Sequence, residues 1–261
     1  MDRSIAEVST TIDDFYDQLA PFYHLIYPDW EASIERQASA LDSILREIWG
    51  DRPLAVLDVA CGIGTQTLGL ASRCHVLTAS DLSAAAVERA KREAAERSLS
   101  IEFGVADMRE LPPDYQARFD VVIACDNAVP HLLCEADILT AFRQMLACLR
   151  PGGGCLITVR DYDREERSGV QVKPYGIRVE NGVRYLLFQV WEFQGALYDL
   201  SMYFVEDRGE ANCPARVLRS KYYAIGVDTL MALMEQAGFH EVRRIDDRFY
   251  QPVVLGIRPS L

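Results

Sequence analysis

The sequence predicts an α/β fold in which a mostly parallel central sheet is flanked by helices on both faces. Three observations carry this. Short apolar runs alternate with helix-length segments across the first two thirds of the chain. One run, RFDVVIACDN, is almost continuously apolar through its middle, as a strand covered on both faces must be. A third, VLDVACGIGT from Val56 to Thr65, reads as strand, glycine loop and helix start.

The elements follow in order. Residues 11–30, TIDDFYDQLAPFYHLIYPDW, are aromatic-rich and broken by Pro21 and Pro28, so short helical pieces with bends are expected. Residues 31–49 place Ile34, Ala38, Leu41, Ile44, Leu45 and Ile48 on one helical face, and Gly50 and Pro53 end it. LAVLDVACGIGTQTLGLA supplies the first strand, the loop and a helix, and HVLTASD a second strand ending on Asp81. SAAAVERAKREAAERS is a strong helix capped by Ser83, with Glu88/Arg92 and Glu93/Arg97 at favourable i,i+4 spacing. IEFGVAD ends a third strand on Asp107, and RFDVVIACDN is the fourth. ADILTAFRQMLACLR is an amphipathic helix closed by Pro151 and three glycines, and GCLITVRDYD is the fifth strand. From residue 164 the pattern becomes short alternating strands, with Asn181-Gly182 as a tight-turn candidate and Gly195 and Gly209 at later turns. Helix returns in VDTLMALMEQAGF, stopped by Gly238, and EVRRIDDRFYQPVVLGIRP closes with an antiparallel strand pair. The expected organisation is a helical cap (1–50), an α/β core (51–163 and 226–261) and an antiparallel β insert (164–225).

A chain of 261 residues with 49% hydrophobic and 25% charged residues has enough apolar material for one sizeable core. Its formal charge of −12 argues against nucleic acid and anionic membrane as partners, because both need clustered Lys and Arg. The opening residues lack a basic stretch followed by an apolar one, and no apolar run reaches membrane-spanning length, so a cytoplasmic protein is expected. The seven cysteines form no C-x-x-C pair and sit mostly in apolar segments; buried free thiols are expected, without a metal.

The glycine loop points to a nucleotide-type ligand. Gly62 and Gly64 let backbone approach a ligand closely, and the following helix offers free N–H groups. Asp58 ends the first strand. Asp81, 19 residues after Gly62, stands where an acid accepts ribose hydroxyls. Asp107 can take an adenine amino group while Met108 covers the ring. The third position of the glycine pattern is Thr67, unlike a dinucleotide motif, and an acid-rich site suits a cationic cofactor.

Together, VLDVACGIGTQT, ASDLS, VADM, FDVVIACDNAVPHL, LRPGGGCLIT and VRDYD resemble a Rossmann-like class I S-adenosylmethionine-dependent methyltransferase. FYHLIYPDWEASIERQ, CDNAVPHL, RDYD and the FQVWEF insert are similar to glycine and glycine/sarcosine N-methyltransferases within that class. The resemblance implies S-adenosyl-L-methionine as cofactor, with Gly62, Gly64, Asp81, Leu82, Asp107 and Met108 at its nucleoside. It puts Ala60, Cys125 and Asp126 under the methionyl part, Arg36 on the methionyl carboxylate, and Tyr27 and Trp30 over the cofactor. For the acceptor it implies Asn127, His131, Arg160 and Tyr23, with Arg160 holding a carboxylate. The implied activity is methyl transfer to the amine of glycine, sarcosine or a related amino acid, with the insert over the acceptor pocket. A different small acceptor, such as a natural-product hydroxyl, a nicotinamide-dependent oxidoreductase, or a regulator that binds cofactor without turnover stay open, as does a homo-oligomer.

Overall fold

Residues 12–260 are described in a computed structural model of the chain. Helix α1 (Ile12–Leu19) and a 3-10 turn (Tyr23–Ile26) lead into α2 (Trp30–Trp49). Asp29 caps α2 by accepting the Ala32 N–H at 2.9 Å, and Gly50 ends it with a positive φ of 79°. Its apolar face buries Ala38, Leu41 and Leu45 completely. Strand β1 (Ala55–Asp58), α3 (Thr65–Ala71), β2 (Val76–Asp81), α4 (Ala84–Glu96) and β3 (Glu102–Val105) follow, then β4 (Phe119–Ala124), α5 (Glu135–Cys148) and β5 (Leu149–Thr158). In α4, Ser83 caps the start and Glu93 pairs with Arg97 as expected. Glu88 instead pairs with Lys91, one residue short of the expected Arg92.

After β5 the chain makes four antiparallel strands, β6 (Val170–Glu180), β7 (Val183–Gln194), β8 (Leu197–Asp207) and β9 (Ala215–Tyr223). They lie side by side in chain order. Asn181 and Gly182 both take positive φ, 50° and 77°, as the two central positions of a tight hairpin require. Helix α6 (Val227–Ala237), β10 (His240–Ile245) and β11 (Val253–Ile257) complete the molecule.

The main sheet has the order β10-β11-β5-β4-β1-β2-β3. Strands β1 to β5 are parallel, and β11 runs antiparallel to both β5 and β10. The chain builds outward from β1 to β3, then returns to place β4 on the other side of β1. That reversal opens a crevice at the carboxyl ends of β1 and β4, where ligands bind in such sheets. No helix among the described residues is long and apolar enough to cross a membrane. Four cysteines, Cys61, Cys125, Cys148 and Cys155, are buried free thiols, whereas Cys74, Cys134 and Cys213 are exposed.

One boundary differs from the sequence reading. The Pro151–Gly154 run belongs to β5 rather than to the end of α5. The register moves from Leu149 opposite Phe119 to Gly154 opposite Val121, so the run is a bulge inside the strand. A Cβ on Gly154 would lie 2.6 Å from the Trp49 ring, and one on Gly153 2.7 Å from the Asp120 carbonyl oxygen. Close packing, not helix termination, calls for these glycines.

Candidate active site

The loop after β1 turns at Gly62 (φ 51°) and at Gly64 (φ 96°), which opens α3. Asp81, at the end of β2, holds this loop from the side. Its Oδ2 accepts the Gly62 N–H at 2.8 Å and its Oδ1 accepts the Ser83 N–H at 2.9 Å. Burial raises the Asp81 pKa, and the backbone N–H groups oppose that rise. Each oxygen keeps a lone pair for a ligand hydroxyl.

Asp58 takes a different part from the expected one. It is 1% exposed, and its carboxylate accepts from the Thr67 hydroxyl at 2.6 Å and the Ala60 N–H at 3.2 Å. It braces β1 against α3 rather than facing a ligand. Asp107 and Met108 do face the crevice, but both Asp107 oxygens also receive the Arg109 guanidinium.

At the end of β4, Asp126 and Asn127 take consecutive positive φ values of 56° and 67°. The Thr158 hydroxyl accepts the Asp126 N–H at 2.7 Å, and the Thr158 carbonyl accepts the Asn127 N–H at 3.0 Å. The Asn127 side chain accepts the Arg160 N–H at 3.0 Å and donates to the Tyr162 hydroxyl at 2.7 Å. These bonds tie the ends of β4 and β5 together and fix where Asp126 and Arg160 project. Both polar ends of Asn127 are thus engaged within the protein, which fixes its side chain at the wall of a cavity it shares with Arg160 and Trp191.

Three adjoining cavities open here. The cavity beside the glycine loop is lined by Ala60, Gly62, Asp81, Leu82, Met108 and Cys125, of which Gly62, Asp81, Leu82 and Met108 are expected at a nucleoside and Ala60 and Cys125 under a methionyl part. A second lies under the four-stranded sheet and is walled by aromatic rings, among them Tyr16, Trp191, Tyr198 and Tyr222. Each has about 80 Å³ of free space, whereas the third, beside Arg36 and Gln251, has about 550 Å³ and forms a wide mouth. Tyr16, Tyr23 and Asp126 line both narrow cavities, and Asp126 lines the mouth as well. The Asp126 carboxylate accepts the Tyr27 hydroxyl at 2.9 Å and the Gln251 amide at 3.3 Å.

Arg160 projects between the aromatic cavity and the mouth. Its guanidinium lies 4.5 Å from the Trp191 ring centre, and Nη1 is 3.5 Å from Glu165. Its Nε is buried without a hydrogen-bond partner. Such a donor is costly to bury unless a ligand accepts from it.

His131, in a 3-10 turn (Val129–Leu132), shares a 2.6 Å hydrogen bond with the Tyr16 hydroxyl through Nε2 and stands 3.4 Å from the Ser220 hydroxyl through Nδ1. Burial pushes its pKa down to about 3. A neutral imidazole with this affinity for protons is a poor base near pH 7, so its part is to hold Tyr16. This has a consequence for stability. Below about pH 6 the unfolded chain takes up a proton that the folded His131 refuses, so its contribution falls by up to about 1.4 kcal/mol per pH unit toward pH 3. Asp58 works oppositely. Its pKa is pushed up to about 7 by burial, so its contribution is full below 3.8 and is lost as pH rises through about 7. His131→Asn is therefore expected to lose less stability than the wild type on going from about pH 6 to pH 4. Urea unfolding at both pH values checks this, and parallel pH curves would remove the assignment.

Trp30 is elsewhere. Its indole N–H donates to Thr65 at 2.9 Å, the Arg89 and Arg97 guanidinium carbons lie 5.3 and 5.5 Å from its ring centre, and it packs toward Ile34 and Leu68. It supports α3 rather than covering the crevice. Arg36 donates to Ser33 at 2.8 Å and lines the mouth together with Tyr27. The insert contributes Gln189, Trp191, Tyr198 and, from β9, Tyr222, and α1 contributes Tyr16; none of these stands out as a site residue in the sequence. The period-two pattern of β7 does put Leu187, Gln189 and Trp191 on one face.

Residues 56–153 match a family described as "Methyltransferase domain". A glycine/sarcosine N-methyltransferase from Parasynechococcus marenigrum is 33% identical over 162 residues, 62% of this chain and 55% of that protein. A ubiquinone biosynthesis O-methyltransferase from Coxiella burnetii is 33% identical over 98 residues, 38% of this chain and 40% of that one. The chain thus spans about half the length of the curated relatives it matches. An amino pentose methyltransferase from Micromonospora echinaspora, solved with S-adenosylmethionine bound, superimposes with a TM-score of 0.74 at 20% identity, covering 87% of this chain and 92% of that one.

Proposed function

We infer that this chain, a class I S-adenosylmethionine-dependent methyltransferase in domain and fold, transfers a methyl group to the amine of a small amino acid of the glycine and sarcosine series. The observation that carries the acceptor reading is Arg160, whose partly unpartnered guanidinium is held at the aromatic cavity where a carboxylate would complete it.

The residues fit the cofactor. Gly62 leaves the loop backbone bare, Asp81 offers two carboxylate oxygens beside it, and Asp126 adds negative charge at the junction of the cavities. When bound, S-adenosylmethionine supplies an activated methyl group on a sulfonium. Asp81 and Met108 would hold its nucleoside, and Asp126 and Arg36 its amino-acid end. The chain's own work is then alignment and exclusion of water. Arg160 fixes the acceptor carboxylate, the rings of the four-stranded sheet wall off solvent, and His131 steadies Tyr16 at the shared wall. The acceptor nitrogen must arrive with a free lone pair, and no histidine base is needed.

A second reading rests on the wide mouth, which adjoins the aromatic cavity at Asp126, Arg160 and Tyr175. A larger amine could seat its body there. A mass-spectrometric panel of amino acids, amino sugars and phenols separates the two. Methyl transfer to free amino acids is expected; transfer to amino sugars or phenols alone would overturn the amino-acid reading.

A further inference from the structure

The aromatic cavity has two borders. Tyr16, Tyr23 and Asp126 divide it from the cavity beside the glycine loop, and Ile26, Asp126, Arg160 and Tyr175 line both it and the wide mouth. With a donor seated at the glycine loop, the second border is the passage left to an acceptor. Two of its four residues come from segments far apart in the chain: Ile26 ends the 3-10 turn before α2, and Tyr175 lies in β6. A bulge in β6 prepares their meeting. Pro174 pairs with Phe188, and Gly176, at φ 94°, with Leu187, which leaves Tyr175 out of the ladder. The bulge also shifts the alternation. Arg178 and Glu180 turn toward the N-terminal segment, while Ile177 and Val179 are exposed.

Arg178 joins the two sides of the passage. Its Nη2 donates to the Tyr175 carbonyl at 3.0 Å and to the Ile26 carbonyl at 3.3 Å, so one nitrogen spans both residues. Its Nε donates to the Tyr27 carbonyl at 2.9 Å, and its Nη1 to the Ile177 carbonyl at 2.9 Å. All four acceptors are main-chain oxygens. Burial lowers the Arg178 pKa, and no carboxylate opposes that shift, so the guanidinium works here as a fork of donors rather than as half of an ion pair. Two residues on, Glu180 meets His24 at 2.7 Å and ties the same strand to the same turn.

We propose that Arg178 is a positioning residue that fixes the width of the passage between the mouth and the aromatic cavity, and thereby holds the acceptor to amino acids with small side chains. Its effect passes through the backbone of Ile26 and Tyr175. The limit on acceptors rests on the amino-acid reading of the chain, whereas the passage itself does not.

Acrylamide, a small neutral quencher, tests the passage without a substrate. Trp191 is 1% exposed and lines the aromatic cavity. Its emission is the difference between chains with and without Trp191→Phe. Arg178→Met is expected to raise acrylamide quenching of that emission at least about twofold, because the passage would open locally more often. Arg178→Lys, which keeps the charge but not the planar fork, should fall between, and it carries the same test should circular dichroism show Arg178→Met unfolded. Unchanged quenching of Trp191, or a rise that persists in full when Trp191 is absent, overturns the proposal. With acceptors, Arg178→Met is expected to lower the ratio of kcat/KM for glycine to that for phenylalanine at least about tenfold. An unchanged ratio beside raised quenching overturns the limit on acceptors. Absence of methyl transfer from the wild type to any amino acid overturns the amino-acid reading instead, and quenching still decides the passage.

Discussion

Replacing Asp81 with alanine is expected to weaken S-adenosylhomocysteine binding about 100-fold or more in a calorimetric titration. Two losses add. The carboxylate would no longer accept from two ribose hydroxyls, and hydrogen bonds to a charged group contribute roughly 1.5–3 kcal/mol each. The Gly62 and Ser83 N–H groups would also lose their acceptor, so the glycine loop would lose its lateral support. Asp81→Asn keeps one oxygen and should fall between the two. Wild-type affinity in the alanine variant would remove Asp81 from the site.

Arg160→Ala should raise the KM of the amino-acid acceptor about 100-fold while changing cofactor affinity less than about threefold. Truncating one side of a desolvated charge pair costs roughly 2–5 kcal/mol, and each 1.4 kcal/mol is tenfold. Arg160→Lys should recover part of the loss, because an ammonium keeps the charge but not the planar fork or the stacking on Trp191. A KM unchanged in the alanine variant, measured at saturating cofactor, would place the acceptor carboxylate elsewhere.

The parts of this protein that are written locally were readable from the chain. Gly62, Asp81 and Met108 lie within one strand–loop–helix–strand–helix–strand series, each at the end of a strand or in the loop that follows it, and the period of those strands is plain in the sequence. Trp30 and Asp58 were misplaced for a physical reason. Both are near the loop in sequence or in space, but rotation of a side chain about α2 or β1 decides whether it faces the crevice or the neighbouring helix. Trp30 turns toward Thr65, and Asp58 toward Thr67. Alternation cannot tell which face of a strand meets a ligand, so Gln189, Trp191 and Tyr198 came into view only when the four-stranded sheet was docked on the core. Tyr16 and Tyr222 illustrate the same limit across 206 residues of chain. His131, expected at the acceptor, lines the cavity beside the glycine loop instead, and its low affinity for protons comes from burial that no spacing reveals.

The wall made by Tyr16, Tyr23 and Asp126 has one further consequence. It faces the nucleoside side and the aromatic side at once, so a guest in either recess presses on atoms that shape the other. Two ligands that share a partition cannot bind with independent free energies. Whatever factor the donor imposes on the acceptor's affinity, the acceptor must return to the donor, and the spent donor left behind is subject to the same reciprocity. Under the proposed reading, that coupling passes through three side chains, two of them carried by the segment that precedes the sheet.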